Sequence, residues 1–329
     1  MANFKYVMVD SHPLPSEYFY VEEEMFEKAG IECIFAECKT VEEVLACAKD
    51  ADAIGTVGVP MMADFLKQLE KCKVIVRFGV GYDSVDIKAA AECGIMVANM
   101  PTYCMDEVAT HVMALFLDIV RKTTMHDKNF RKGIWNGGLG YESRRLSALT
   151  FGIVGFGNIA RKTAQYAKGF DMKVVAYDPY VPDSVFAEDG VARVTLDELY
   201  AVADVVTLNI PLNDGTKHLI NKESIAKMKD GVFIVNCARG PVIKTEDLID
   251  ALNSGKVTAA GLDVFEGEPI TDPDYPLCKM DNVVLTPHSA YNSREAIIAQ
   301  HECAADTVIR VLCDGETPYN IVNKDMLKK

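Results

Sequence analysis

The residues best suited to handling a carboxylate and a proton cluster late in this 329-residue chain: Arg239 in "NCARG", Asp263 and Glu268 in "GLDVFEGEP", and His288 in "LTPHSAY". Each stretch closes a short apolar run that reads as a strand, and the ends of such strands are where open α/β sheets bind ligands. A guanidinium grips a carboxylate in a fixed two-pronged geometry, which suits Arg239 to orienting a 2-oxo acid and polarising its carbonyl. An imidazole exchanges protons near neutrality, so His288 suits protonation of an alkoxide as it forms. Glu268, if hydrogen-bonded to His288, favours the imidazolium. The chemistry expected of such a set is hydride transfer to a 2-oxo acid.

A hydride needs a donor, and "LTFGIVGFGNIARKTAQYAKGFDMKVVAYDPY" supplies a place for one. The strand "FGIV" runs into the turn "GFGNIA" and then a helix from Asn158, the context in which a glycine fingerprint signals a dinucleotide. Gly155 permits the tight turn, while Gly157 lets a pyrophosphate approach the backbone at the positive end of the helix, beside Asn158 and Ile159. Ala160 takes the place of the third glycine. Asp178 ends the next strand, where its carboxylate can accept from ribose hydroxyls and repel a 2'-phosphate. Neither Pro179 nor Tyr180 offsets that charge, so NAD is expected over NADP.

These sites need a scaffold, and the first hundred residues alternate strand and helix signals: "KYVMVD", "VEEEMFEKAG", "ECIFAE", "TVEEVLACAKD" capped by Thr40, "AIGTV", "ADFLKQLEKC", "VIVRFG", "DIKAAAECG" and "MVANM". Pro101 interrupts the pattern, a helix is expected from about Asp106 to Arg121, and "GIWNGGLGYESRR" reads as an exposed arm. From Leu149 the alternation restarts, and a last helix in "SREAIIAQHECAADTVIRVLCDG" must pack its apolar stripe against the first half. The expected fold is therefore α/β with two doubly wound parallel sheets. A Rossmann dinucleotide-binding domain (residues 102–291) is inserted into a flavodoxin-like substrate domain (residues 1–101 and 292–329).

Composition narrows the partners. With 34 basic against 48 acidic residues the formal net charge is -14, and no basic cluster stands out, which argues against nucleic acid and anionic membrane. No apolar run is long enough to span a bilayer. The ten cysteines are scattered without metal-ligand spacing, so no metal is expected, and "MANFKYVMVD" lacks the order of a signal peptide. A cytoplasmic protein with reduced thiols is expected.

The stretches "GIVGFGNIA", "YDPY", "MKDGVFIVNCARG", "GLDVFEGEP" and "LTPHSAY" together resemble the D-isomer-specific 2-hydroxyacid dehydrogenases, and the likeness runs nearly end to end. It implies a catalytic set of Arg239, Glu268 and His288. It further implies that Asp263 holds the nicotinamide carboxamide, that Ile210 and Pro211 line the adenosine side, that Cys237 and Ala238 pass the nicotinamide ribose, and that Thr216 reaches the cofactor. In "VRFGVGYD" the backbone of Gly79, Val80 and Gly81 would meet the substrate carboxylate.

"VRFGVGYDSVDIKAA", "HSAYNS" and "NIVNKDML" are most similar to the branch of C-terminal-binding-protein corepressors and phosphoglycerate-dehydrogenase-like enzymes. In that branch an arginine at Arg77 contacts the substrate carboxylate. An aromatic residue stands three after the histidine, here Tyr291 where the corepressors carry tryptophan, and it is a candidate pocket wall. Lys244 and Thr245 replace a more usual acidic pair. No appended regulatory domain is expected, and Arg144 and Arg145 are weak candidates for a phosphate pocket. The resemblance implies a homodimer built on the long helix and arm. It also raises an alternative, an NADH-sensing, protein-binding module with little turnover.

Overall fold

The computed structural model describes residues 3–11 and 14–327. The chain divides into two compact units: Met1–Cys104 with Ser293–Lys329, and Met105–Asn292.

In the first unit, β1 (Phe4–Met8), β2 (Ile31–Phe35), β3 (Ala53–Thr56), β4 (Val74–Arg77) and β5 (Met96–Ala98) form one parallel sheet in the order β2-β1-β3-β4-β5. This is the flavodoxin-like order, with its reversal between β1 and β3. Helix α1 (Tyr20–Ala29) stops at Gly30, whose φ of 70° is cheap only without a Cβ. Helix α2 (Val41–Ala48) opens on the Thr40–Glu43 capping box. Helix α3 (Ala63–Leu66) is shorter than "ADFLKQLEKC" suggests, because the chain turns after Leu66 so that the Glu70 N–H meets the Lys49 carbonyl. Helix α4 (Ile87–Glu92) is capped by Asp86.

The second unit holds the long helix α5 (Met105–Arg121) and α6 (Thr123–Phe130), a short helix its sequence did not suggest, followed by an irregular arm. Its sheet contains β6 (Thr150–Val154), β7 (Lys173–Tyr177), β8 (Ala192–Arg193), β9 (Val205–Leu208), β10 (Val232–Asn236), β11 (Val257–Leu262) and β12 (Val283–Leu285). All pairs are parallel, in the order β12-β11-β10-β9-β6-β7-β8. Helices α7 (Asn158–Gly169), α8 (Asp183–Glu188), α9 (Leu196–Val202), α10 (Lys222–Lys227) and α11 (Thr245–Ser254) connect the strands. Strand runs such as "VFIVN" are buried end to end because helices cover both faces. Gly261 lets α5 lie against β11, since a Cβ there would come within 2.8 Å of the Leu115 Cβ.

The last helix, α12 (Arg294–Leu312), belongs to the first unit and buries Ala304, Ala305, Val308 and Leu312 in that core. It is also tied there by a buried polar chain. His301 Nδ1 lies 2.6 Å from Glu22 Oε2, and the Tyr6 hydroxyl donates to Glu22 Oε1 at 2.9 Å. Burial raises the Glu22 pKa, and the bonds from His301 and Tyr6 oppose that rise.

Candidate active site

Because every strand of the second sheet points the same way, the residues following β6, β7, β9, β10, β11 and β12 lie along one edge. Gly155, Asp178, Ile210, Cys237, Asp263 and His288 all come from those connections. Strand order reverses between β6 and β9, the crevice where doubly wound sheets take ligands. The two sides meet there: Gly155 has a φ of 87°, and a Cβ on it would lie 2.4 Å from the Asn209 carbonyl oxygen.

Gly157 has a different setting. It stands at the N-cap of α7, supplies no capping side chain, and a Cβ built on it meets nothing within 4 Å. The first-turn N–H groups of α7, Asn158 and Ile159 among them, thus open onto free space at the positive end of the helix dipole. Among the described residues, Asn209 Nδ2 is a buried donor with no hydrogen-bond partner. A positive helix end, space beside a glycine and an orphan donor together fit a dinucleotide.

Asp178 braces this turn. Its carboxylate accepts from the Phe156 N–H at 2.8 Å, the Tyr180 N–H at 2.8 Å and the Val181 N–H at 3.2 Å. The structure adds a cation that the neighbouring sequence did not reveal: Arg193 Nη2 donates to the Asp178 carbonyl at 2.9 Å. Arg193 is also paired with Asp183 and stacked over Phe186. Thr216 spends its hydroxyl locally, donating to the Pro211 carbonyl at 2.6 Å and accepting from the Asn213 N–H.

His288 and Glu268 are brought together from two loops. His288 Nδ1 lies 2.7 Å from Glu268 Oε2, and Glu268 Oε1 accepts from the Phe265 N–H at 2.6 Å. An ionised carboxylate can only accept, so Nδ1 carries a proton and Nε2 is the ring atom left to exchange one. The His288 side chain is 43% exposed, so Nε2 chemistry is open to a ligand. Arg239 follows β10 and donates through Nη1 to the Ala238 carbonyl at 2.8 Å. Its loop is pressed on the Glu268 loop, since a Cβ on Gly240 would lie 1.9 Å from the Phe265 carbonyl carbon and oxygen.

His288 adopts a φ of 50°, uncommon for a residue with a Cβ, and Asp263 is what holds it. The Asp263 carbonyl accepts the His288 N–H at 2.8 Å, while its carboxylate accepts from the Thr286 hydroxyl, the Ser289 N–H and the Ala290 N–H. His111 of α5 completes the group, with Nε2 2.9 Å from the Thr286 hydroxyl and 3.5 Å from Asp263 Oδ1. Burial alone would raise the Asp263 pKa, but the bonds from His111, Thr286 and the two backbone groups outweigh it and hold the carboxyl below its usual range. Asp263 is fully buried and its oxygens are engaged with the loop, so a carboxamide contact rests on the family resemblance alone.

Sequence reasoning missed His111. The only signal available was a polar residue interrupting the buried face of "EVATHVMALF". Nearby, burial and then the Asp263 charge push the Tyr291 phenol and the Cys237 thiol upward, so both stay neutral at ordinary pH. Among the described residues no group of three or more His, Cys, Asp or Glu side chains could hold a metal ion.

In the first unit, Arg77 and the glycine loop form a group of their own. Gly79 has a φ of 143°, and a Cβ on it would lie 1.8 Å from Arg77 Nη1, so the guanidinium crosses that glycine closely. The loop is fastened by the Met100 N–H on the Gly79 carbonyl at 2.9 Å and by Asn99 Nδ2 on the Val80 carbonyl at 2.6 Å. Gly81 follows at once in the same loop.

Residues 113–290 match the profile of the D-isomer specific 2-hydroxyacid dehydrogenase NAD binding domain. The chain belongs to that family. It is 38% identical to a hydroxypyruvate reductase of Blautia hydrogenotrophica over 86% of this chain and 88% of that one. It is 40% identical to a D-3-phosphoglycerate dehydrogenase of Methanocaldococcus jannaschii over 86% of this chain, and spans about half (54%) of that relative's length. The crystal structure of a glyoxylate reductase from Paecilomyes thermophila superposes with a TM-score of 0.88 at 28% identity, covering 98% of this chain and 100% of the other. As a member of the 2-hydroxyacid dehydrogenases, the chain is an NAD-dependent oxidoreductase acting on 2-hydroxy acids.

Proposed function

We propose that this dehydrogenase reduces a small 2-oxo acid to the R-2-hydroxy acid, with His288 as proton donor, Glu268 as its partner and Arg239 as the group that orients the carboxylate and polarises the carbonyl. The observation that carries the assignment is the 2.7 Å contact between His288 and Glu268, on the sheet edge that also bears the Gly155–Gly157 turn. NADH, when bound, supplies the hydride. The turn residues with Asn158 and Ile159 would hold its pyrophosphate, Asp178 its adenosine ribose, Ile210 and Pro211 its adenosine side, and Cys237 and Ala238 its nicotinamide ribose.

Protein groups do the rest. Glu268 accepts from Nδ1 and stabilises the positive ring, and Nε2 gives its proton to the oxygen that gains charge as the carbonyl is reduced. The first unit serves as the substrate domain in this reading. Arg77 and the N–H groups of Gly79, Val80 and Gly81 form a cationic, donor-rich loop suited to a carboxylate, and Tyr291 forms a pocket wall.

NADH oxidation against a panel of glyoxylate, hydroxypyruvate, pyruvate, 3-phosphohydroxypyruvate and larger oxo acids tests the reading. Turnover of at least one member is expected, and none across the panel would overturn it. His288→Ala should lower kcat by about 10²- to 10⁴-fold while leaving NADH affinity nearly unchanged. Full activity in that variant removes His288 from the mechanism.

The homodimer is proposed from the end of α6 and the arm, where Phe130 and Trp135 lie 5.8 Å apart and Trp135 is 88% exposed, an apolar group that a second copy would cover. Sedimentation velocity reads the outcome directly. A cytoplasmic setting is supported by ten unbridged cysteines. Among the described residues no helix is long and apolar enough to cross a membrane.

A further inference from the structure

Cys38 and Cys47 stand apart from the other cysteines. Cys38 follows β2 and Cys47 lies on α2, nine residues on, yet their Sγ atoms are 3.5 Å apart. The contact is built by the turn between them. The Thr40–Glu43 capping box fixes the start of α2, Glu43 also accepts the Lys39 N–H at 2.6 Å, and the Cys38 N–H is anchored on the Val9 carbonyl at 2.7 Å. Both residues are half-buried and neither is sealed in the core. None of the proposed catalytic or cofactor groups uses them.

We propose that Cys38 and Cys47 are a redox modification site, a dithiol that closes reversibly to an intramolecular disulfide at the expense of a small-molecule disulfide of the glutathione class. One thiolate attacks the small disulfide, its lone pair forming a mixed S–S bond while the old bond breaks and its electrons leave on the first small thiolate. The second protein sulfur, already 3.5 Å away, displaces the other small thiolate. Each departing thiolate takes up a proton given up by a cysteine. The pair loses two electrons and the small disulfide gains them, yielding one protein disulfide and two small thiols. Proximity acts on the second step, converting it from an encounter in solution to a reaction within one turn. Burial, the neighbouring thiol and the carboxylates of Glu43 and Asp10 push Cys38 up to about 12, which keeps its own thiolate scarce.

The folded full-length chain, equilibrated with oxidised glutathione, tests this by mass spectrometry. Trypsin cuts after Lys39 and Lys49, placing Cys38 in peptide 29–39 and Cys47 in peptide 40–49. A cross-linked pair of these peptides, lighter by two hydrogen atoms than their sum and dissolved by dithiothreitol, is expected. It should exceed mixed glutathione adducts at either residue by at least about tenfold. Because peptide 29–39 also holds Cys33, the same link must form in Cys33→Ser. In Cys38→Ser or Cys47→Ser the link should vanish, and the glutathione adduct should accumulate on the remaining thiol. Glutathione adducts on both residues of the wild type with no link, or modification confined to the exposed Cys93, Cys278 and Cys313, would overturn the proposal.

Discussion

Asp263 helps to hold the His288 backbone in a conformation that residues with a Cβ seldom adopt. Asp263→Asn replaces an acceptor by a donor facing the Ser289 and Ala290 N–H groups and the Thr286 hydroxyl, and should cost about 1.5–3 kcal/mol. The sign of its pH dependence follows from the lowered pKa. The stabilisation is fully present above the unfolded value near 3.8 and disappears as pH falls through the lower folded value. Denaturant midpoints of wild type and variant should therefore differ by a constant amount above about pH 5 and converge in stronger acid. A gap that does not close in acid would show that the Asp263 charge is not what holds the loop.

Asp178 carries a second prediction at this scale. Asp178→Ala should weaken NAD binding about 10- to 100-fold, the value of a lost charge-assisted bond. It should also improve NADP relative to NAD, because Arg193 remains at that turn. Adding Arg193→Ala should remove the improvement, and titrations of the variants with both cofactors decide it. The residue types for proton and carboxylate chemistry were legible because each closed a strand-like run. The joining of His288 to Glu268 was legible only as an expectation. The His111–Thr286 contact was not legible at all, since 175 residues separate the partners and a lone helical histidine has many innocent explanations.

At the scale of elements, two glycines separate ligand space from packing. Gly157→Ala adds a methyl where nothing lies within 4 Å, so melting temperature should hold while NADH affinity falls. Gly240→Ala drives a methyl into the Phe265 carbonyl, and backbone there cannot yield cheaply. It should shift the Arg239 loop against the Glu268 loop and lower kcat/KM by about 10²-fold, the scale of a displacement near 1 Å at reacting groups. Calorimetry, NADH titration and steady-state kinetics separate the two; equal behaviour would contradict the geometry. Caps and stops were readable, as Thr40 before α2 and Gly30 after α1 show, because those signals act within a turn. The early end of α3 was not, since it depends on a carbonyl from Lys49.

At the scale of the molecule, the chain leaves its first unit at Cys104 and returns at Ser293. The returning segment is fastened by Asn323, which accepts the Val97 N–H at 2.9 Å and donates to the Ile95 and Ile87 carbonyls at 2.9 and 3.3 Å. Asn323→Ala leaves a buried strand N–H unpaired and should destabilise the first unit by about 1–3 kcal/mol. Hydrogen exchange at Val97 reads that loss locally, and unchanged protection there would refute it.

By itself the sequence determined two parallel α/β sheets, a dinucleotide turn and a set of chemistry-bearing residues at strand ends, because periodicity, glycine spacing and caps act over a few residues. Tertiary structure alone decided how those residues work. It placed Asp263 under the His288 loop and brought His111 and Arg193 to sites their neighbours in sequence do not announce. Each of these contacts depends on where the assembled sheets set their strand ends and loops, and no local pattern encodes a distance between them.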